Sequence, residues 1–186
     1  MIYRTLLVCG IILALTSLYF GVLSPFIRAR EYIAAVRSIS SVRTIQEFED
    51  NFNRSLLFPS PIGKEEVVKF LGNDIANILF QEGQSKEIAQ ELVRFIEPHL
   101  FRNNVRHMLL GGQLYAVLWE RYGRSEENFV KAEFYYRQAL SIGPNLPPPL
   151  FALLGLYIAH GDTEQVGEMR TIILSYWPDA FLGEGQ

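Results

Sequence analysis

The sequence predicts an all-α chain in which one N-terminal apolar helix is followed by stacked antiparallel helical hairpins. Three observations carry that expectation. Thr5 to Ile27 holds no charged residue. At about 1.5 Å per residue this run is long enough to cross a hydrocarbon core of about 30 Å. Beyond it, apolar residues recur at three- and four-residue spacing with no run of period-two alternation, the pattern of helices that each bury one stripe. Proline and glycine then punctuate the chain so that helices come in pairs joined by short turns.

The 186 residues allow one membrane segment and one domain of ordinary size. Apolar residues make up 49% and charged residues 20%, the balance of a chain with a packed core. Seventeen basic residues less Arg4 leave sixteen, against twenty acidic ones, so no basic field exists for a phosphate backbone and no nucleic acid is expected as a partner. Cys9 is the single cysteine, which excludes a disulfide framework, a zinc knuckle and a CxxC pair.

The Thr5–Ile27 run ends in Tyr19-Phe20-Gly21-Val22-Leu23. A cleavable signal peptide has a shorter apolar region and a small-x-small site, so a retained anchor is expected. Tyr19 and Phe20 suit a headgroup layer, Ser24-Pro25 is expected to interrupt the helix there, and Arg28 and Arg30 to mark water. Orientation is contested. Arg28, Arg30, Arg37 and Arg43 outnumber Arg4 and favour a cytoplasmic domain by the positive-inside rule. A short basic N-terminus before a long apolar run instead has the layout of an export signal. The expectation adopted is a single-pass membrane protein with its helical domain extracytoplasmic.

After the anchor, Ala29, Tyr32, Ile33, Val36 and Ile39 form one stripe, and Ile45, Phe48, Phe52 and Leu56 the next. Thr44-Ile45-Gln46-Glu47 has the spacing of a capping box, and Pro59 and Pro61 stop the second helix. Val67, Val68, Leu71, Ile75, Ile78 and Leu79 mark a third helix. Ile88, Leu92, Phe95 and Ile96 mark a fourth, ended by Pro98, and Val105 to Trp119 a fifth, running to Gly123. The expected organisation is an anchor region at 1–27, a helical region at 28–103, two hairpins at 104–180 and a tail at 181–186.

The most specific signal is a repeat. Pro144 and Pro178 stand 34 residues apart, and at the same interval Ala132 pairs with Val166, Ala139 with Ile173 and Leu140 with Leu174. The later unit has Leu150, Leu153, Leu154 and Tyr157, then Gly161-Asp162 and Pro178. The earlier has Ala116, Trp119, Gly123, Ala132, Tyr136, Ala139 and Pro144. This pattern resembles the tetratricopeptide repeat, whose period is 34 residues. The resemblance implies a TPR-like α-solenoid over about 75 residues, with the small residues at helix contacts and Trp119 and Tyr136 filling the space between hairpins. The earlier unit has extra residues between Gly123 and Ala132, so its inter-helix turn should be longer. Val166, Arg170 and Ile173 depart from the family's small and aromatic positions; residues 29–98 have the length of two degenerate units, with helix pairs ending at Pro61 and Pro98, but lack the small-residue positions. More faintly, Ser60 to Glu66 and its surroundings resemble the helical tails of some bacterial O-antigen-ligase-like proteins.

No arrangement of residues points to catalysis. His99, His107 and His160 stand in no HExxH or HxH pattern. Glu65-Glu66 and Glu126-Glu127 fall in first helical turns, where negative charge offsets the dipole. Gly111-Gly112 lacks a phosphate loop's pattern, and Gly112 suits close helix packing. Asn53-Arg54-Ser55 matches a glycosylation acceptor triplet. No enzyme activity, cofactor, metal or small-molecule substrate is expected. The expected function is a membrane-anchored helical-repeat scaffold for another protein. In the repeat family the first helices line the concave face, which implies a groove of Gln113, Val117, Glu120, Phe151, Gly155 and Ile158. Alternatively, Phe151 and Ile158 pack on a neighbouring helix or the chain end. The other class is an accessory subunit of a larger membrane complex, of envelope or polysaccharide assembly, held by its transmembrane helix. Gly10, Ala14, Ser17 and Gly21 would form its close-packed face.

Overall fold

The computed structural model describes residues 2–181; Met1 and residues 182–186 of the expected tail lie outside the described residues. Among the described residues every regular element is helical. They are α1 (Ile2–Leu18), α2 (Ser24–Ser38), α3 (Ile45–Leu56), α4 (Lys64–Phe80), α5 (Lys86–Ile96), α6 (Val105–Arg121), α7 (Glu126–Ile142), α8 (Pro147–His160) and α9 (Thr163–Tyr176). The chain divides into two compact units, Met1–Leu71 and Gly72–Gln186, so the division falls inside α4.

In the first unit, α1 does not stop at Ser24-Pro25. The helix is continuous from Tyr3 to Ser41, 39 residues, and a π turn at Tyr19–Leu23 joins α1 to α2. Pro25 has no amide hydrogen, and its ring would clash with the Gly21 carbonyl one turn back. The wider turn avoids this: the Ser24 amide reaches back to the Tyr19 carbonyl, five residues away. Proline here widens the helix instead of breaking it. At about 1.5 Å per residue the whole rod is about 58 Å long, roughly twice a hydrocarbon core. From Tyr3 to Leu23 every residue is exposed. This helix is long and apolar enough to cross a membrane, a test that a signal sequence also passes.

The face that α2 buries is the expected stripe only in part: Tyr32, Val36 and Ile39 are half-buried, with the Tyr32 ring 6.1 Å from that of Phe52. Ser24, Arg28 and Ala35 are buried, whereas Ala29 and Ile33 are exposed. Polar chemistry explains the shift of the buried face. The Ser24 hydroxyl donates to the Pro59 carbonyl at 2.9 Å. The Arg28 guanidinium, 3% exposed, donates to the Ile62 carbonyl at 2.9 Å and to the Phe58 carbonyl. Arg28 therefore does not stand in water but ties the proline-rich loop after α3 to the helix. On the next turns Asn51 of α3 donates to the Ala35 carbonyl at 3.1 Å and the Ser38 hydroxyl at 2.9 Å, closing the α2–α3 hairpin. Thr44 and Glu47 form the expected capping box at the start of α3. Asn53-Arg54-Ser55 lies inside α3, and the Ser55 hydroxyl is buried on the Phe52 carbonyl at 2.9 Å. The triplet is thus in a helix and not in an exposed loop.

In the second unit, consecutive helices pack in chain order, α5 on α6, α6 on α7, α7 on α8 and α8 on α9, and α6 also touches α8. Side-chain caps from Ser85, Asn104, Ser125 and Asp162 start α5, α6, α7 and α9. Three prolines open α8, whose first-turn amides need no intrahelical partner, and Gly161 closes it in the left-handed region at φ 87°. The last carbonyls of α4 are satisfied by α6: the Tyr122 hydroxyl donates to Leu79 at 2.7 Å and Arg121 to Phe80 at 3.0 Å. The α6–α7 turn spans residues 122–125 against 161–162 for α8–α9, the longer turn that the spacing predicts.

The α6–α7 contact depends on glycine. A Cβ at Gly112 would run into the Tyr136 ring, and one at Gly111 into the Tyr135 ring; two absent side chains seat two adjacent tyrosines. Gly112→Val should therefore cost about 1–3 kcal/mol through overpacking. Gly167, exposed on α9, has open space around its Cβ position. Gly167→Ala should instead stabilise by up to about 1 kcal/mol through helix propensity. Thermal or urea melts of the two variants should move in opposite directions, and movement in the same direction would contradict the packing described.

Candidate functional site

The six residues expected to line a groove lie on α6 and α8, which touch each other. Gln113 and Glu120 on α6 and Phe151, Gly155 and Ile158 on α8 are exposed. Val117 is buried, at 4% exposure, and contributes to the core. Ile158 is 53% exposed, a large side chain left in water one turn before the helix end. Phe151 faces the chain end: its ring centroid is 6.3 Å from that of Phe181. It also lines a cavity of about 510 Å³ with Pro147, Tyr176, Trp177, Pro178, Asp179 and Ala180. Packing against the chain end thus describes Phe151 and does not describe Ile158.

Polar clusters that spacing did not reveal hold the helices that carry these residues. Glu97, just after α5, accepts from the Tyr115 hydroxyl of α6 at 2.6 Å and the Tyr135 hydroxyl of α7 at 2.8 Å. Lys131 of α7 lies 3.4 Å from the same carboxylate and donates to the Tyr115 hydroxyl at 2.9 Å. The two tyrosine rings stack with centroids 5.8 Å apart. Burial works to raise the Glu97 carboxyl, but the two tyrosine hydrogen bonds and the Lys131 charge outweigh it and hold the carboxyl below its ordinary value. Burial first, and then the hydrogen bond to Glu97, push both tyrosines far above the ordinary phenol range. The cluster is therefore one carboxylate, one ammonium and two phenols, with each hydrogen bond donated by a proton that stays in place. It joins α6 and α7 to the segment just after α5.

A second cluster holds the last hairpin. The Tyr157 hydroxyl of α8 donates to Glu133 of α7 at 2.6 Å. Arg137 donates to Glu133 at 2.8 Å, to the Tyr157 oxygen at 2.8 Å and to Gln165 of α9 at 3.1 Å. Burial and the Glu133 hydrogen bond raise the Tyr157 phenol as well. Lys131 and Tyr135, and Glu133 and Arg137, each stand four apart on α7, the spacing that puts two side chains on one helical face. That spacing was visible in the sequence, but the helices that the pairs would reach were not.

His107 is buried and its Nδ1 accepts from the Phe101 amide at 3.3 Å. His160, in the last turn of α8 as expected, stacks on Phe129 with centroids 4.0 Å apart. Among the described residues, no group of three or more His, Cys, Asp and Glu is placed to hold a metal ion.

Replacing Glu97 with Gln should destabilise the second unit by about 1.5–3 kcal/mol at neutral pH, since hydrogen bonds to a charged acceptor are lost. The sign of the pH dependence follows from the lowered carboxyl. At neutral pH the carboxylate's stabilisation is fully present. Once pH falls below the ordinary carboxyl value, the unfolded chain binds a proton that the folded chain does not, and stability is lost until the folded group also protonates. Denaturant melts of the wild type and Glu97→Gln should therefore converge as pH drops through and below the ordinary carboxyl range, and a constant gap would contradict the role given to Glu97.

No family model matches the chain, and neither a curated protein nor a solved structure matches it.

Proposed function

We propose that this chain is a single-pass, membrane-anchored helical-repeat scaffold that binds another protein through the first helices of its last two hairpins. The observation that carries the reading is the joint presence of an apolar helix with no protein cover from Tyr3 to Leu23 and a second unit built by sequential helix packing. Packing of each helix on the next, together with the α6–α8 approach, is what stacked hairpins produce, and it supports the tetratricopeptide-like assignment of 104–180. Buried Ala132, Ala139, Trp119 and Tyr136 occupy the positions that the repeat reserves for close packing. The binding surface in this reading is Gln113, Glu120, Phe151, Gly155 and Ile158, with Val117 supporting it from beneath. Ile158 is its exposed apolar anchor.

In this reading the helical domain lies outside the cytoplasm. Positive-inside counting weighs cations free to meet the headgroup layer. Arg28 is not free, because it is buried on two carbonyls. Arg30 keeps one surface pair, to Glu31 at 3.1 Å, and it, Arg37 and Arg43 remain exposed cations on that side. Arg37 and Arg43 belong to the folded hairpin, and folded segments translocate with less regard to charge than short loops do. Arg4, at the other end of the run, is exposed, and this supports a cytoplasmic start and an exported domain.

The accessory-subunit reading has an observation of its own, the exposed apolar face of α2. The two readings are compatible in one molecule, since an anchor can dock laterally while the repeat unit engages a different protein.

The test uses the full chain in its native membranes. Ile158→Glu, alone and with Gln113→Arg, should lower co-isolation of the bound protein by about tenfold or more. Melting should change by no more than about 0.5 kcal/mol, as for other exposed sites. Undiminished co-isolation would remove the groove reading. A protease tag after Gln186 should be cleaved in intact spheroplasts, and protection until permeabilisation would reverse the orientation.

A further inference from the structure

The burial of Ser24, Arg28 and Ala35, with Tyr32, Val36 and Ile39 half-buried beside them, leaves Phe26, Ala29 and Ile33 of α2 facing outward. Phe26 is 63% exposed and Ile33 48%, with Ala29 exposed between them. Two grooves flank the Ala29–Ile33 ridge. One, of about 720 Å³, is lined by Phe26, Arg30, Ala34, Arg37 and Ser38. The other, of about 420 Å³, is lined by Pro25, Tyr32, Val67 and Phe70, among others. A ridge with a groove on each side is the relief that a second helix packs against.

The π turn sets where this ridge points. In an undisturbed helix at about 100° per residue, Ile33 would lie about 120° around the axis from Gly21. The one extra residue taken up by a π turn returns it to about 20°. Ala29 comes to within about 20° of the same line, and Gly10, Ala14 and Ser17 lie within about 40° of it. The small-residue side of α1 and the apolar ridge of α2 are thus one continuous face along the rod.

Charge decides what can cover it. The titratable side chains on the larger groove are Arg30 and Arg37, both exposed; the smaller groove also holds Arg28, committed to the Ile62 and Phe58 carbonyls, and Glu66, ion-paired to Lys69. Arg30 has only the exposed Glu31 pair, and Arg37 has no ion-pair partner among the described residues. A second copy of this chain laid on the same face would oppose cation to cation. A helix bearing carboxylates beside an apolar stripe would be complementary in both respects.

We infer that the Ala29–Ile33 face of α2 is the seat of a helix from another membrane protein, one that runs beside α1 and continues out of the bilayer with carboxylates flanking its apolar stripe. The inference rests on reading α1 as a retained anchor and names the chemistry of the lateral partner.

The experiment places a benzophenone amino acid at position 33 of the full chain in its native membranes, with parallel probes at Gln46, exposed on α3, and at Ile158. Ultraviolet light should give an Ile33 adduct with a protein other than this chain. Its crosslinked peptide should join an apolar membrane run and carry Asp or Glu at helical spacing. The Gln46 probe should not give that adduct. Arg30→Glu with Arg37→Glu should lower the yield by about tenfold or more, and the Gln pair should fall between. Both pairs lie on an exposed helical face, and an unchanged melting temperature verifies their folding. An adduct made of two copies of this chain, an adduct with lipid alone, or a yield indifferent to the charge reversal would overturn the inference. So would no Ile33 adduct in a chain that resists alkaline extraction, and an Ile158 adduct in that experiment would leave the scaffold reading standing. Release of the chain by alkali would instead remove the anchor on which both rest.

Discussion

A helix that is apolar on every side has to be handed over to a part of the chain that is apolar on one side only, and residues 19–28 carry that change. Pro25 removes an amide and crowds a carbonyl, which a four-residue turn cannot absorb; the π turn at Tyr19–Leu23 absorbs both. Within one further turn, Ser24 and Arg28 present polar groups to the carbonyls of Phe58, Pro59 and Ile62. A proline-rich loop has few amides with which to satisfy its own carbonyls, and a buried cation needs oxygen ligands. Each solves the other's problem. The loop is thereby fixed to the helix, and the α2–α3 hairpin is closed above it by Asn51.

The second unit is held by a different kind of constraint. Its helices come closest where side chains are missing, at Gly111 and Gly112 against Tyr135 and Tyr136 and at Gly72 against Leu110. The phenol oxygens of Tyr135, Tyr115 and Tyr157 must then find acceptors, because burial makes an unpartnered hydroxyl costly. Glu97 and Glu133 supply those acceptors, and Lys131 and Arg137 balance the two carboxylates. Close packing and polar satisfaction are thus coupled: the aromatic bodies fill the inter-helix space, while their hydroxyls set the register between helices.

The sequence was legible where local chemistry decides the outcome. Thr44 and Glu47, Gly161, the prolines of α8 and the acidic first turns of α4 and α7 each act on backbone within a few residues, and each appears where spacing put it. The small residue at Gly112 was readable too, since a glycine inside an apolar stripe has little use except close approach. What spacing misread was one edge of α2, where Ala29 and Ile33 are exposed and Ser24 and Arg28 are buried. Its apolar stripe looks like a core face because hydrophobic periodicity carries no information about a distant loop in need of donors. Arg28 counted as a surface cation by the same logic, and Val117 as a groove residue because register alone does not say how deep a position sits. The polar clusters at Glu97 and Glu133 stayed invisible because their partners come from three different helices.

The rotation of α2 bears on how the molecule would work. If Arg28 lay in the headgroup layer, α2 would be free to turn its apolar side inward, and nothing would distinguish its outer surface. With Arg28 committed to the loop, rotation of α2 is fixed by hydrogen bonds at Ser24, Arg28 and Ala35, and Ile33 is held out against its own hydrophobicity. Leaving a large aliphatic side chain half exposed forgoes on the order of 1 kcal/mol of burial. The same orientation gives the rod a line of small and apolar residues from Gly10 to Ile33, with the exposed Arg30 and Arg37 on one flank and Arg28, bound to loop carbonyls, with Glu66, ion-paired to Lys69, on the other. On the lateral-partner reading, a face built at that cost and fixed by polar contacts on the opposite side of the helix is what would let its exposed arginines select a carboxylate-bearing neighbour.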